Sequence, residues 1–246
     1  MDIREDETLD DLQLKGLRLI QKKTGFRLCL DAVLLADFAR IHPRDCVADL
    51  GTGTGVLPLL LWGRGKGKNF WGVEIQAELA EMAERNVKLN CLEEQIRILC
   101  CDVAEAKDFI PSRSIDAVVC NPPYPFSKKQ GDAEISSSRD ISRHQTAEEL
   151  QVFLAAAGGL LKGRGRLFMV YPSSEMLELM ISLRQHRLEP KRLRLVHPFS
   201  DRPARLVLIE AVNGGRPMLQ VLPPLIVYDE NRRLTNELKS IYHIQE

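Results

Sequence analysis

Apolar runs alternate along this chain with stretches whose apolar positions recur at helical spacing. The runs at 46–50 (CVADL), 69–74 (NFWGVE), 95–100 (QIRILC), 115–120 (IDAVVC) and 165–171 (GRLFMVY) are nearly continuous in apolar residues, which predicts strands buried on both faces. Between them lie an apolar segment near 54–62 and a helix near 76–90, where Leu79, Met82, Ala83, Asn86, Val87 and Asn90 fall on one stripe and acids occupy the first turn. A further helix is predicted near 147–161. Strands separated by helices of this length imply parallel βαβ units, and hence an open, doubly wound α/β sheet.

The two ends of the chain have a different texture. The segments 192–197 (RLRLVH) and 204–211 (ARLVLIEA), joined by PFSDRP, predict an antiparallel strand pair that finishes the sheet. Near the other end, 17–21 (LRLIQ) and 26–30 (FRLCL), joined around Lys22–Gly25, predict a small hairpin before the first helix. The expected organisation is a single domain over 1–246, with an N-terminal hairpin and helix elaboration at about 12–40 and an insertion at about 125–145.

Composition narrows the functional classes. With 246 residues, 44% of them hydrophobic and 28% charged, the chain is neither disordered nor fibrous. Lys plus Arg equals Asp plus Glu, at 34 each, which disfavours a dedicated non-specific nucleic-acid binder. Six of the acids lie within residues 1–11 against one base, so the remainder carries a net +5. The six cysteines form no CxxC pair, the start of the chain has no secretory pattern, and no apolar stretch approaches the roughly 18 residues of a membrane span. A cytoplasmic protein with reduced thiols is expected.

The chemistry begins at Asp49-Leu50-Gly51-Thr52-Gly53-Thr54-Gly55, which directly follows a predicted strand and opens a predicted helix. Glycines there let the chain turn sharply and let backbone N–H groups approach a ligand. Glu74 ends the next strand, 19 positions after Gly55, where an acid is placed to accept hydrogen bonds from ribose hydroxyls. Asp102 follows the third strand, in Cys100-Cys101-Asp102-Val103, within reach of an adenine amino group; as a lone Asp it equally suits a helix N-cap. The glycine string is GxGxG with an acid before it, unlike the GxGxxG of dinucleotide folds. Sites at three successive strand ends resemble the S-adenosylmethionine pocket of the Rossmann-like, seven-stranded methyltransferases, whose sheet is mostly parallel with an antiparallel C-terminal pair. That resemblance implies that Asp49 and the glycine loop line the methionine part, that Glu74 holds the ribose and that Asp102 contacts the adenine.

Asn121-Pro122-Pro123-Tyr124 follows the fourth predicted strand, at the edge where open α/β sheets place their sites. Consecutive prolines fix the backbone and leave carbonyls free to accept. An amide or adenine amine is a poor nucleophile because its lone pair is delocalised. Two acceptors aimed at its N–H bonds, the Asn121 side-chain oxygen and the Pro122 carbonyl, hold it in line with a methyl donor and strengthen as positive charge develops on nitrogen. Tyr124 offers a face for stacking a planar substrate. The four residues resemble the [ND]PP[YFW] motif of amino-methyltransferases and are the expected catalytic set.

A longer series carries a narrower resemblance. Gln21-Lys22-Lys23-Thr24-Gly25-Phe26-Arg27, Leu30-Asp31-Ala32-Val33-Leu34-Leu35-Ala36, Ser142-Arg143-His144, Arg202-Pro203-Ala204-Arg205-Leu206 and Pro223-Pro224-Leu225-Ile226-Val227-Tyr228 are together similar to the bacterial valine-tRNA adenine-N(6) methyltransferase family. The resemblance implies methylation of the adenine flanking the anticodon, and a segment 26–35 that closes over the cofactor. The cofactor-binding set is then Asp31, Asp49, Gly51, Thr52, Gly53, Gly55, Glu74, Asp102, Val103 and Asn121. His144 stands in an Arg-His-Gln string where that family commonly has Arg-His-Glu. The bases of 184–205, net +5, and those of 63–68 (GRGKGK) are candidates for RNA contact. A protein-glutamine methyltransferase resembling those that modify release factors shares the NPPY motif, and an rRNA adenine methyltransferase is a second enzymatic rival; a non-catalytic RNA-binding module is the rival from another class. The expected partner is structured RNA, most readily tRNA, with no metal and a monomer or weak dimer.

Overall fold

The buried runs pair as strands because, with both faces covered, each residue adds apolar burial while the ladder satisfies every backbone donor and acceptor. The computed structural model describes residues 3–23, 30–122 and 136–243, with side chains throughout except at 136–147. Strands β3 (Cys46–Leu50), β4 (Asn69–Glu74), β5 (Ile96–Cys100), β6 (Ile115–Cys120) and β7 (Leu161–Pro172) run parallel. Strand β9 (Leu206–Asn213) is antiparallel to β7, and β8 (Leu188–His197) is antiparallel to β9. The spatial order is β8-β9-β7-β6-β3-β4-β5. Beyond the seven strands expected, β10 (Gln220–Val221) and β11 (Leu225–Ile226) add to the outer edge of β8, too short to leave a periodic signature.

Alternation along the strands divides the core into two layers. Ala117 and Val119 of β6, with Phe168 and Val170 of β7, face α1 (Leu30–Phe38), α2 (Val56–Gly63) and α7 (Asn236–Ile241). Val118, Cys120, Leu167 and Met169 face α4 (Ala106–Phe109), α5 (Ser136–Leu160) and α6 (Met176–Gln185). This is the doubly wound arrangement that the pattern predicted.

Two expectations are corrected. The N-terminal ribbon pairs β1 (Glu7–Asp11) with β2 (Arg18–Lys22), not 17–21 with 26–30; Leu30 opens α1, and 26–29 lie outside the described residues. The partner strand ETLDD has no apolar alternation to betray it. It is held instead by Arg85 of α3 (Ala77–Leu89), whose two terminal nitrogens each donate to a Glu7 oxygen at 2.7 Å, holding the Glu7 carboxyl down at about 2. The helix expected from 147 begins at Ser136, so the second half of the expected insertion is helical.

One side chain joins the ribbon to the glycine turn. Asn86 of α3 is fully buried; its oxygen accepts from the Ile20 N–H at 2.6 Å and its nitrogen donates to the Ile20 and Thr54 carbonyls, both at 2.9 Å. This position on the helix stripe is thus a structural amide.

Candidate active site

The turn after β3 takes its shape from glycine at positive φ: Gly51 at +75°, Gly53 at +58° and Gly55 at +79°, angles that a side chain would strain. Gly51 and Thr52 both donate backbone N–H to the Val73 carbonyl at 2.9 Å. Glu74 then clamps the turn from the end of β4: one carboxylate oxygen accepts from the Gly53 N–H and the other from the Gln76 N–H, both at 2.9 Å. Each oxygen keeps a second lone pair for a ligand.

Asp49 sits beneath this turn, 1% exposed. The Thr52 hydroxyl donates to its Oδ2 at 2.6 Å, while Oδ1 has no hydrogen-bond partner among the described residues. Burial, reinforced by the nearby Glu74 charge, pushes its carboxyl up to about 7 despite the Thr52 bond. The sign of the linkage follows: an acid whose folded pKa is raised costs stability when ionised, and that cost disappears as pH falls from about 7 toward the ordinary 3.8. Asp49→Asn in the ligand-free protein is therefore expected to melt higher than the parent at pH 8, with the margin clearly smaller by pH 5 and vanishing toward pH 4. A melting series across that range checks this, and a pH-independent margin would contradict it.

Above the turn lies a cavity of about 390 Å³, within the range of small-molecule sites. Gly51, Thr52, Gly53, Glu74, Asp102, Val103 and Asn121 line it, from the ends of β3, β4, β5 and β6. Asp102 also caps the short helical turn Val103–Glu105, its side chain accepting from the Ala104 N–H at 2.8 Å, as the N-cap reading expected, while it remains on the cavity wall. Asp31, in the first turn of α1, and Gly55 are off the described wall, although Ala32 is on it; burial raises the Asp31 carboxyl. Pro122 is buried at the head of the NPPY segment, and Pro123 and Tyr124 lie outside the described residues.

Part of the wall escaped the sequence. Glu149, Val152 and Phe153 come from α5, and Ile75, Gln76 and Leu79 from the β4–α3 junction. Phe153 is seated over Gly51, where an added Cβ would meet its ring at 3.2 Å. Ile75 and Val152 are apolar yet exposed, 61% and 39%, on this wall, a feature that only the fold reveals.

Several of the bases expected on an RNA-facing surface are turned inward or already answered by an acid. Arg192 is buried on the Phe38 ring at 4.5 Å and pairs with Glu210 at 2.9 Å. Arg194 reaches Glu237 at 2.7 Å and Arg184 reaches Glu189 at 3.4 Å. In GRGKGK, Arg64 pairs with Asp37 at 3.2 Å, and Lys66 donates to the Ala36 and Asp37 carbonyls at the end of α1, with burial driving its ammonium down to about 8. A count of bases along the chain cannot see these partners. Among the described residues no cluster of three or more His, Cys, Asp or Glu is arranged to hold a metal ion, and no helix is long and apolar enough to cross a membrane.

Sheet order, glycine turn and cavity at the carboxyl edge define a methyltransferase of the Rossmann-like type. The model of the methyltransferase small domain matches residues 31–186, and the chain belongs to that family. Among curated proteins it is similar to the tRNA1(Val) (adenine(37)-N6)-methyltransferase of Shewanella halifaxensis, 27% identical over 200 residues, covering 81% of this chain and 74% of that protein. The protein of that name from Porphyromonas gingivalis is 27% identical over 208 residues, with coverages of 82% and 80%. The fold matches the crystal structure of a predicted O-methyltransferase from Agrobacterium tumefaciens with a TM-score of 0.71 at 21% identity, covering 87% of this chain and 96% of that one. It matches Pyrococcus horikoshii TYW2, solved in complex with MeSAdo, with a TM-score of 0.58 at 15% identity and coverages of 86% and 73%.

Proposed function

We propose that this methyltransferase uses S-adenosylmethionine to methylate the exocyclic 6-amino group of an adenine in tRNA, the adenine beside the anticodon of a valine tRNA being the acceptor named for its relatives. The observation that carries the reading is the position of Asn121. It stands on the wall of the same cavity as the glycine turn, Glu74 and Asp102, so one space offers a cofactor cradle and an amine-gripping amide.

The residues present fit that cofactor. Among the described residues, its chain neighbours aside, no atom lies within 4 Å of where a side chain at Gly53 would begin, so a ligand can lie directly on the turn's backbone. The orphaned, buried Oδ1 of Asp49 favours a cationic neighbour above it. Glu74 accepts from ribose hydroxyls through its remaining lone pairs, and Asp102 and Val103 flank the adenine. When bound, the cofactor supplies an electrophilic methyl group on a positively charged sulfur.

The chain's own part is positioning. The Asn121 amide oxygen and the Pro122 carbonyl accept the two N–H bonds of the target amine, orienting the nitrogen and stabilising the charge that grows on it. Tyr124 stacks on the target base, which leaves its own stack at a cost of about a few kcal/mol, least in an open loop. No strong base is required, because the proton becomes acidic once the new bond forms.

Incubating the protein and labelled S-adenosylmethionine with tRNA lacking the modification is expected to yield N(6)-methyladenosine, identified by nucleoside mass spectrometry. Label appearing only in protein, or at another nucleoside, overturns the reading.

A further inference from the structure

The loop 198–205 joins the end of β8 to the start of β9, and the pairings fix which way it faces. Leu206 lies opposite both Pro172, at the carboxyl end of β7, and Val196, at the end of β8. Strand β11 runs parallel to β8, with Ile226 opposite His197, so residues from Val227 onward emerge on the same side. Both segments therefore stand on the carboxyl edge of the sheet, the edge that holds Asn121. Strand spacing places β9 about 10 Å and β8 about 15 Å from β6.

Four arginines on this edge, Arg202, Arg205, Arg232 and Arg233, are exposed, and among the described residues none of them enters an ion pair, in contrast to Arg184, Arg192 and Arg194 of the preceding strand and helix. The backbone beneath them is tied down. Ser173 donates its N–H to the Arg205 carbonyl at 3.0 Å and its hydroxyl to the Ala204 carbonyl at 2.6 Å. The Arg202 carbonyl bonds the His197 ring at 2.8 Å, and the Tyr228 N–H donates to the Pro198 carbonyl at 2.9 Å, linking the two segments. Phe199 and Tyr228 form a tilted ring pair at 5.5 Å between them, with Tyr228 exposed. The acids here are Asp201, Glu230 and Asp229; Asp229 has one carboxylate oxygen engaged by the Asn231 and Arg233 N–H groups.

Unpaired guanidiniums on a fixed backbone, interleaved with aromatic rings, match the chemistry of a nucleic-acid strand: phosphates for the arginines and a base face for the ring. We infer that the loop 198–205 and the segment 227–233 form the docking surface for the RNA backbone flanking the methylated base, so that the strand crosses the β9 and β8 end of the sheet to reach Asn121. The inference rests on the tRNA reading above. It narrows the basic stretch 184–205 expected from sequence to Arg202 and Arg205, which form no ion pair among the described residues, and adds Arg232 and Arg233 from beyond it.

The test compares Arg202→Glu/Arg205→Glu and Arg232→Glu/Arg233→Glu with Arg113→Glu/Arg164→Glu, a pair of exposed bases at the opposite edge, before β6 and early in β7. Steady-state kinetics on tRNA and calorimetry with S-adenosylmethionine are run on each, with Arg202→Gln/Arg205→Gln as a milder variant. Either carboxyl-edge pair is expected to raise the KM for tRNA at least about ten-fold and to flatten its salt dependence, with cofactor affinity unchanged. The glutamine variant shifts the same way by less, and the opposite-edge pair stays within about two-fold. Carboxyl-edge variants that bind cofactor normally and keep the parent KM overturn the inference, as does an equal loss in the opposite-edge pair, which would mark a general charge effect. Failure of the parent protein to methylate tRNA at all overturns the functional reading and this inference with it, and is seen before any variant is made.

Discussion

Replacing Asn121 by alanine is expected to leave the affinity for S-adenosylmethionine within a few-fold while lowering kcat on tRNA by at least about a hundred-fold, the cost of removing one acceptor or donor aimed at developing charge. Asn121 stands at the end of β6, where the ladder with β3 and β7 ends and the chain turns at Pro122. The strand is buried on both faces, so the amide is carried on one of the most rigid parts of the molecule. On the proposed reading the cofactor rests on the cavity wall supplied by the ends of β3, β4 and β5, which the substitution does not touch. Isothermal titration and single-turnover rates separate the two effects. A variant that transfers methyl groups at the parental rate would remove Asn121 from the chemistry, and one that loses cofactor binding and rate together would make it part of the cofactor wall alone.

The second large effect is on stability. Arg192→Ala is expected to destabilise the fold by about 3–5 kcal/mol, because it strands the carboxylate of Glu210, 8% exposed, with no countercharge in the core. The arginine also donates to the Phe38 carbonyl at 3.3 Å and lies on the Phe38 ring, so β8, β9 and α1 lose a shared anchor. Against a typical total of about 5–15 kcal/mol, that loss is large. The double replacement Arg192→Met/Glu210→Leu should recover most of it, since a well-packed apolar pair fills the volume without charges to desolvate. Urea titrations of the single and double variants decide the matter: a single variant within about 1 kcal/mol of the parent would show the pair to be dispensable. Charge reversal at Arg192 is thus a folding experiment and says nothing about RNA.

What could be read along the chain depended on where each residue's partners lie. The central strands were legible because they are covered on both faces, and the bounds of β3, β4 and β6 follow the apolar runs. Strand β1 was not, because ETLDD is held by pairing with β2 and by Arg85 from a helix about seventy-five residues away, a contact with no local period. The opening turns of α5, SSSRDISRHQ, carry no apolar stripe that separates a helix from a polar loop. The cofactor side of the site showed in its glycines and acids, since those residue types are dictated by backbone shape and ligand charge. Its other wall did not: Phe153 lies 102 positions after Gly51, and only the doubly wound path brings them together. Charge was the least legible quantity. Arg192 and Arg202 are the same letter ten positions apart, yet one neutralises a core carboxylate and the other faces solvent.

Asn86 gives the amino-terminal ribbon a stake in the cofactor turn. A single carboxamide holds the Ile20 peptide on one side and the Thr54 carbonyl on the other, so neither can shift without releasing a bond that water cannot easily replace at that depth. Helix α3 thus braces both elements at once, holding the ribbon through Arg85 and Glu7 and, through Asn86, joining it to the glycine turn. The ribbon of β1 and β2, remote from the glycine turn in sequence, is one carboxamide away from it in space.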